Sequence, residues 1–527
     1  MKFINWFKKN PEKLLLVVIL LTAAFLRLYR IQDYMTFLGD EGRDVLVVYG
    51  ILHGHLTLLG PTASVGGFFL GPIYYYFMAP FLWLFNYNPV GPAVMVALFG
   101  IATVWLVYKF SEEFFGKEVG IISSLLYAIS PLVIEYSRSS WNPNPLPFFS
   151  LLGLYVLYRG VVSGKLRNFF IAGILLGISM QLHYLATFLA LIMILYVLFS
   201  EIFRIKNDWI NLIKSLLIKY LYSFAGFLIG WSLFLAFEIR HGFPDFKSII
   251  NFIFHSGNTG PSTGFLPIVS NVFFRLFGRL IAYFPSPDQY FHYNPFALNL
   301  WILFTLMLAL FSTFLLVVKL FKSFREKSEN FNKYLLLFMW IFAGVVLFGF
   351  YKKDIYDYYF AFMFPLPFIL TGLFIWNIFS FNKFKILAKG LAVGLFLVLF
   401  LLNISGIPFR YQPNRQLNQM ETISRFVMDK TGGKPFNFAL ITGSNSDFAY
   451  RYFFTLWGNP PVTIQNSVID PKRTTVTSQL MVVCESLPCQ PLGNSLWEIA
   501  GFGRANIAGH WNVSVVEVYR LVHYKGK

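Results

Sequence analysis

Long apolar segments recur along most of this 527-residue chain, and their recurrence restricts it to one class of fold. Backbone polar groups cannot stay unpaired inside a bilayer, and runs near 20 apolar residues predict spanning helices. We therefore predict an all-α polytopic membrane protein with about 11 transmembrane helices. The predicted spans cover residues 14–31, 90–108, 119–134, 148–160, 168–183, 185–203, 217–237, 296–318, 334–350, 358–377 and 389–408.

The net charge of +18 does not indicate a nucleic-acid partner in this chain. The positions of the basic residues indicate instead which loops face the cytoplasm. The basic residues concentrate in short loops between apolar segments, which is typical of cytoplasmic loops. Four lysines precede or begin the first segment, which has no small-residue cleavage site, so we predict an uncleaved anchor with a cytoplasmic N-terminus. These are Lys2, Lys8, Lys9 and Lys13.

Residues 71–85, GPIYYYFMAPFLWLF, decide the sidedness of every later loop. If they crossed the membrane, all the later basic loops would face the outside, against the usual charge distribution. Their many aromatic residues and internal proline favour a helix that lies along the outer interface. We therefore predict that residues 71–85 do not span and that the C-terminus is external.

The charged stretch GDEGRD, residues 39–44, follows the first apolar segment and falls on the predicted outer side. Ionisable groups at a membrane edge are expensive to desolvate, so they usually serve chemistry or an ion pair. A solvated loop with Asp40 or Asp44 capping a following helix is the alternative. On either reading Asp44 is a cap or a loop partner that should tolerate asparagine.

A second polar stretch, EYSRSSWNPNP at 135–145, lies on the same predicted side. Arg138 could bind a phosphate through two parallel hydrogen bonds, or it could pair with Glu135 three residues earlier on a helix. Asn142 and Asn144 could contact a substrate or could simply be turn residues.

Three further polar positions lie at predicted outer ends of spans. His183 is either a ligand contact or an interfacial residue with satisfied hydrogen bonds. Lys352 and Lys353 face the outside against the usual trend, which fits an anionic ligand or a contact to lipid headgroups. No single loop supplies enough carboxylate or imidazole groups for a metal site. The sequence thus specifies no cofactor and leaves a divalent metal open.

From residue 410 the composition becomes that of a soluble domain, so we divide the chain into 1–409 and 410–527. The second part predicts a small extracytoplasmic α/β domain, without a phosphate-binding or dinucleotide-binding motif. Cys484 and Cys489 could pair there on the oxidising side. Strands are predicted at 436–442, 480–484 and 513–524, and helices near 417–430 and 446–457.

Taken in order, these stretches resemble the GT-C membrane glycosyltransferases, specifically the protein O-mannosyltransferase and aminoarabinose transferase group (families 39 and 83). Asp40-Glu41 with Arg43 is similar to that group's acidic pair, and GPIYYYFMAP to its interfacial helix. The segments from Pro131 to Arg138 and DYYFAFMFPLP match its next two outer stretches. The resemblance covers about residues 10–375. It departs at Asn142 and Asn144, where the group often has an acidic residue, and at Gly71-Pro72, where a basic residue is common.

The resemblance implies an inverting glycosyltransferase with a polyprenyl-phosphate-linked sugar as donor and a lipid, glycan or protein as acceptor. Asp40 would be the general base and Glu41 would orient the acceptor or tune Asp40. The phosphate would be bound by Arg43, Arg138, Lys352 and Lys353. The remaining substrate contacts would come from Asn142, Asn144, His183, Tyr356 and Tyr358.

Two other classes of protein stay open on the residues alone. A transporter or lipid flippase would place ionisable residues near the bilayer midplane and would often show an internal repeat. Here the charges concentrate at one face and no repeat is evident. A scaffold or receptor would use the α/β domain and would not need the acidic pair.

Overall fold

A computed structural model describes residues 10–63, 65–255, 264–524 and 526 of the chain. The lysines at 2, 8 and 9, on which the predicted N-terminal orientation partly rests, lie outside these residues. So do residue 64 and residues 256–263.

The described chain is mainly helical, and its helices are numbered here in chain order. They are α1 Pro11–Leu28, α2 Ile31–Tyr34, α3 Gly39–Leu52, α4 Ile73–Leu84, α5 Val90–Phe115, α6 Lys117–Ile129, α7 Pro131–Tyr136, α8 Leu146–Ser163, α9 Leu166–Leu182, α10 Thr187–Arg204, α11 Trp209–Gly230, α12 Ser232–His241, α13 Pro244–His255, α14 Phe265–Gly278, α15 Pro295–Arg325, α16 Phe331–Val346, α17 Pro365–Phe379, α18 Lys385–Ser405, α19 Gln416–Thr431, α20 Phe448–Leu456 and α21 Trp497–Phe502. Short 3₁₀ turns cover Tyr184–Ala186, Pro287–His292, Leu347–Phe350, Asp357–Met363 and Pro408–Arg410.

Within the described residues, seven helices are long and apolar enough to cross a bilayer, or eight if one bent pair counts as a span. That number is lower than the predicted eleven. Helix α1 carries three charged residues, α6 has 13 residues and α9 has 17, so these three fall short in apolar character or length. The bent pair is Asp357–Met363 with α17, at an angle of 61°.

Helix α4 occupies the stretch predicted to lie along the interface. It has 12 residues, from Ile73 to Leu84. At 1.5 Å per residue it is about 18 Å long, well short of the roughly 30 Å hydrocarbon core. Its length therefore agrees with the prediction that residues 71–85 do not span.

The C-terminal part contains a four-stranded sheet of order β1-β2-β4-β3. Strands β1 (Asn437–Ile441) and β2 (Gln479–Cys484) are parallel, and β4 (Val516–His523) is antiparallel to both β2 and β3 (Ala505–Val513). The predicted strands correspond to β1, β2 and β4. Strand β3 was missed because it lies at the sheet edge, largely exposed, and has no apolar alternation. Cys484 and Cys489 form a disulfide.

This α/β domain packs against the membrane domain through helix α3. One hydrophobic core contains Val45 and Val48 of α3 together with Phe438 of β1 and Tyr450 of α20. A Cβ atom on Gly42 would overlap the backbone of Ala449, so α3 and α20 approach as closely as their backbones allow. Because the two parts share this core, the division of the chain at residue 410 stays a prediction.

Candidate active site

The charged stretch 39–44 forms the first turns of α3 and is not a loop. Its acidic residues suit a helix N-terminus, where unpaired amides and the helix dipole favour negative charge. The Glu41 side chain accepts a hydrogen bond from the backbone N–H of Leu38 at 3.1 Å, which stabilises the start of the helix. Helical geometry then places Asp40 and Arg43, three residues apart, on one face.

Arg43 joins the two aspartates of the stretch. Its Nη1 donates to Oδ1 of Asp40 at 2.9 Å, and its Nε and Nη2 donate to Oδ1 of Asp44 at 2.9 and 2.8 Å. The side chain of Asp40 is 56% exposed, whereas that of Asp44 is fully buried. Asp40 is therefore the carboxylate of this pair that a substrate can reach.

Asp44 is a buried anchor, so the expectation that it caps a helix or lies in a loop is wrong. Its Oδ1 also accepts a hydrogen bond from the hydroxyl of Tyr75 on α4 at 3.2 Å. Burial raises the pKa of Asp44 to about 6, partly offset by the charge of Arg43. The residue ties α3 to α4 and orients the Arg43 guanidinium.

Glu41 points into protein rather than solvent. Only 7% of the residue is exposed, and burial raises the pKa of its carboxyl to about 7. The hydrogen bond from Leu38 lowers this pKa but does not outweigh the burial. Glu41 is thus suited to holding the helix start beside Asp40, and both residues line the same cavity.

Asp40 lies at the junction of two cavities. The larger has a volume of about 460 Å³ and the smaller of about 170 Å³, and Asp40 and Trp141 line both. The smaller cavity also contains Arg43, Asn142 and His183. The remaining lining of the larger cavity is Thr36, Leu38, Gly39, Glu41, Glu135, Tyr136, Ser139, Asn144, Ser444, Asn445 and Ser446.

Arg138 is directed away from both of these cavities. Its Nη1 and Nη2 donate to the carbonyls of Leu26 and Tyr29 at 2.8 Å each, at the end of α1. Its guanidinium packs on the rings of Tyr34 and Phe409. The expectations that Arg138 binds phosphate or pairs with Glu135 are corrected: the same donors cap a helix C-terminus.

Lys352 and Lys353 do not line either cavity around Asp40 in the described chain. Lys352 is exposed, and the ammonium of Lys353 lies 5.9 Å from the ring centre of Phe252. The structure therefore does not bring the two lysines to Arg43. The segment that follows the two lysines is fixed to α14 and its end. Asp357 of this segment accepts hydrogen bonds from Arg275 at 2.8 and 2.6 Å and from Arg279 at 3.0 Å.

The predicted substrate contacts divide between the cavities. His183 and Tyr358 line the smaller one, where their rings meet edge to face at 5.8 Å. Asn142 lines it too, although its Nδ2 donates to the carbonyl of Leu182 at 2.6 Å. Asn144 lines the larger cavity, and its Nδ2 donates to the carbonyl of Ser139 at 2.8 Å.

Tyr356 is the one predicted substrate contact that lines neither cavity in the described chain. It is 55% exposed and stacks on Tyr358 with 5.8 Å between ring centres. The structure thus brings Tyr356 to the edge of the site and not into it.

Known proteins resemble this chain over part of its length. Residues 70–229 match the family model of dolichyl-phosphate-mannose-protein mannosyltransferases. Two similar proteins are the "Putative mannosyltransferase YycA" and the "Putative mannosyltransferase YkcB" of Bacillus subtilis (strain 168), 25% and 24% identical over 225 and 210 residues. These alignments cover 41% and 40% of this chain and only 31% and 29% of the two relatives. The chain thus spans about a third of the length of the curated relatives that it matches.

Two solved structures share the architecture. ArnT from Cupriavidus metallidurans in the apo state superposes with a TM-score of 0.61 at 12% identity, covering 97% of this chain and 98% of ArnT. The oligosaccharyltransferase AglB from Archaeoglobus fulgidus gives 0.54 at 13% identity, covering 90% of this chain and 70% of AglB. The chain therefore shares the fold of ArnT and AglB. The predicted fold and the predicted resemblance are thereby confirmed.

The α/β domain supplies cavity residues that the sequence did not indicate. Ser444, Asn445 and Ser446 lie between β1 and α20, at the C-terminal end of a parallel strand. Loops at that edge of a sheet commonly form binding sites. The run GSNSD at 443–447, directly after the apolar strand, was the available signal.

A metal site does not emerge from the described residues. Among them, no group of three or more His, Cys, Asp or Glu side chains is placed to share an ion. Arg43 instead provides the positive charge next to Asp40. The divalent metal that the sequence left open therefore has no candidate ligand set in the described chain.

Proposed function

We propose that this protein is a GT-C glycosyltransferase that moves a sugar from a polyprenyl-phosphate donor to an acceptor at the outer face of the membrane, with inversion at the anomeric carbon. The family match and the fold support the class of reaction. Related structures support the class of donor: ArnT has been solved with undecaprenyl phosphate, and AglB with dolichol-phosphate and an inhibitory peptide.

The observation that carries the proposal is the position of Asp40 between two cavities, with its carboxylate held by Arg43. A base for glycosyl transfer must reach the acceptor on one side and the anomeric carbon on the other. The larger cavity would hold the acceptor. The smaller cavity, with Arg43 in its wall, would hold the phosphate end of the donor.

In the proposed reaction the acceptor oxygen or nitrogen attacks the anomeric carbon while the bond from that carbon to the phosphate oxygen breaks. The proton of the nucleophile moves to Asp40, and the electron pair of the broken bond leaves on the phosphate. One displacement inverts the anomeric centre, so a single carboxylate base is sufficient. The phosphate leaving group needs no proton from a general acid.

Charge that develops on the leaving phosphate needs a fixed positive partner. Arg43 lines the smaller cavity, and its orientation is set by the buried Asp44, so it costs little reorganisation during the reaction. His183 and Tyr358 would contact the donor near the phosphate. Arg138, Lys352 and Lys353 have no part in this step.

The outer-face location rests on the topology argument from the sequence. Both acidic residues follow the first apolar segment, and the basic loops lie on the opposite side of the predicted spans. The α/β domain packs on the same helix as the acidic pair, so the two share one side of the membrane.

The test is turnover by the purified full-length protein in detergent with a panel of polyprenyl-phosphate sugars. Asp40→Asn should lower transfer by about 10²–10⁴-fold without changing the donor affinity, because the amide keeps the shape and loses the basicity. Asp354→Asn, an exposed carboxylate outside both cavities, is the matched control. Full turnover in Asp40→Asn would exclude the proposed mechanism.

A further inference from the structure

The loop that joins β1 to α20 forms one wall of the larger cavity. Ser444, Asn445 and Ser446 line it together with Asp40. This loop belongs to the α/β domain and is about 400 residues away from Asp40 in the sequence. The α/β domain therefore lines the cavity of the proposed base and lies directly beside the helix turn that carries it.

Asn445 is held rigidly from both ends of its amide. Its Oδ1 accepts from the backbone N–H of Gly39 at 2.9 Å, and its Nδ2 donates to both carboxylate oxygens of Glu485 at 3.0 and 3.1 Å. The hydroxyl of Tyr450 donates to Glu485 at 2.8 Å and fixes that carboxylate in turn. Glu485 thereby determines which end of the amide faces Gly39.

The partner of Asn445 is the first residue of the helix that carries Asp40. Gly39 immediately precedes Asp40, and its N–H is one of the unpaired amides at the helix N-terminus. A Cβ atom on Gly39 would overlap the side chain of Ser446, so the loop presses directly on this turn. The Asn445 hydrogen bond therefore sets the position of Asp40 without touching it.

Ser444 differs from its two neighbours. It is exposed toward the cavity, and its hydroxyl has no hydrogen-bond partner among the described residues. Its hydroxyl can donate to or accept from a ligand hydroxyl group. The larger cavity also offers the ring of Trp141 and the carboxylates of Asp40 and Glu135, and no lysine or arginine is among its described lining residues. That lining suits an uncharged polyol and disfavours an anion.

We propose that the α/β domain completes the active site, with Asn445 as a positioning residue for Asp40 and Ser444 as a specificity-determining contact to an uncharged, hydroxyl-bearing acceptor. The inference rests on the proposed glycosyl transfer and adds to it the class of acceptor and the domain that recognises it. The two residues act differently: Asn445 governs the rate of transfer, and Ser444 governs the choice of acceptor.

The first experiment measures release of polyprenyl phosphate from polyprenyl-phosphate mannose by the full-length protein in detergent. Asn445→Ala should lower kcat by about 10- to 100-fold and leave the donor KM unchanged, because a displaced base slows chemistry without weakening binding. Glu485→Gln should give a smaller loss of the same kind. Asn506→Ala, at an exposed position in β3 of the same domain, is the control and should match the wild type.

The second experiment uses glycerol as acceptor and measures how the mannosyl group divides between glycerol and water. Ser444→Ala should lower transfer of the mannosyl group to glycerol several-fold and shift the products toward free mannose. Ser467→Ala, an exposed serine of the same domain, should keep the wild-type ratio. Because Ser444 is exposed, this variant tests the proposal even if Asn445→Ala folds poorly.

Asp40→Asn, assayed in parallel, separates this inference from the proposed function. In one outcome, Asp40→Asn loses release, but Asn445→Ala behaves like Asn506→Ala and Ser444→Ala behaves like Ser467→Ala. That outcome would overturn the proposed role of the α/β domain and leave the proposed glycosyl transfer intact. Full release in Asp40→Asn would overturn the glycosyl transfer and this inference with it.

Discussion

Arg43 donates two hydrogen bonds, at 2.9 and 2.8 Å, to one carboxylate oxygen of Asp44, its neighbour in the sequence. Asp44 is fully buried, while the third contact of the same guanidinium is to the exposed Asp40. A buried carboxylate therefore orients Arg43, the basic residue that donates to the proposed base. Both charges of the proposed mechanism therefore depend on a buried residue.

Asp44→Asn should consequently impair the proposed transfer, although the sequence alone predicted tolerance. An amide cannot balance the Arg43 charge, and disrupting a buried ion pair costs about 3–5 kcal/mol. We expect a lower thermal unfolding temperature in detergent together with a kcat reduced by about tenfold or more. Asp354→Asn is the exposed control. Normal kcat and stability in Asp44→Asn would show that Arg43 is held by other contacts.

Arg138→Gln should affect stability and not donor binding. The guanidinium donates to two carbonyls at the end of α1, and hydrogen bonds to charged groups contribute about 1.5–3 kcal/mol each. We expect a lower unfolding temperature with an unchanged donor KM, whereas Arg43→Gln should weaken turnover. Arg240→Gln, an exposed arginine, is the control. A raised donor KM in Arg138→Gln at normal stability would restore the phosphate role predicted from the sequence.

Glu41 should make the protein less stable as the pH rises toward 7. Burial raises its pKa to about 7 in the folded protein, above its ordinary value of 4.5, so the folded state binds more protons between these values. The free energy of unfolding should therefore fall through this window, by about 3 kcal/mol from this group.

The measurement is the unfolding temperature of the wild type and of Glu41→Gln between pH 4.5 and 7.5. The variant should show a flatter profile, because glutamine does not titrate, while Asp44 titrates in both proteins. Glu498→Gln in the α/β domain is the control. Parallel profiles for the wild type and Glu41→Gln would mean that Glu41 stays ionised throughout the window.

Gly42→Ala should separate the α/β domain from helix α3. The added Cβ would overlap the backbone of Ala449, which cannot move as a flexible side chain would. We expect a loss of both stability and transfer. Gly390→Ala is the matched control in α18, where a Cβ would meet no neighbour within 4 Å. That control should be neutral or slightly stabilising, since alanine favours the helix. Equal behaviour of the two variants would show that α20 can shift away from α3.

The predicted topology can be tested by cysteine labelling in intact cells. Cysteines at Ser163, Asn207 and Glu329 should react only after the membrane is permeabilised, while one at Asn506 should react from outside. The two native cysteines form a disulfide and give no background in the oxidised protein. Labelling of position 163 from outside would reverse the sidedness of every loop.

Much of the fold followed from local sequence. Hydropathy identified the membrane class, and the apolar stretches became helices, because a bilayer selects for apolar length regardless of tertiary contacts. The expected count of eleven exceeded the seven or eight spans found in the described part of the chain, because three predicted segments fall short in length or apolar character. Strand β3 escaped because an exposed edge strand carries no apolar period.

Within the candidate site, the sequence indicated Asp40, Glu41 and Arg43, and helical spacing alone then brings Asp40 and Arg43 together. The sequence could not decide the role of Arg138, because the same guanidinium N–H groups can donate to a phosphate or to the carbonyls at a helix terminus. It also predicted that Asp44 is a cap or a loop partner, since burial does not follow from residue type at a helix start.

The sequence by itself determined the membrane class, the acidic pair and the short non-spanning helix, since each depends on composition within about 20 residues. Only the tertiary structure decided that Asp44 is buried, that Arg138 caps α1, and that Asn445 reaches Gly39 across some 400 residues. The physical reason is that hydropathy and helix spacing are local properties. A hydrogen bond between distant segments exists only where packing brings a donor and an acceptor within about 3 Å.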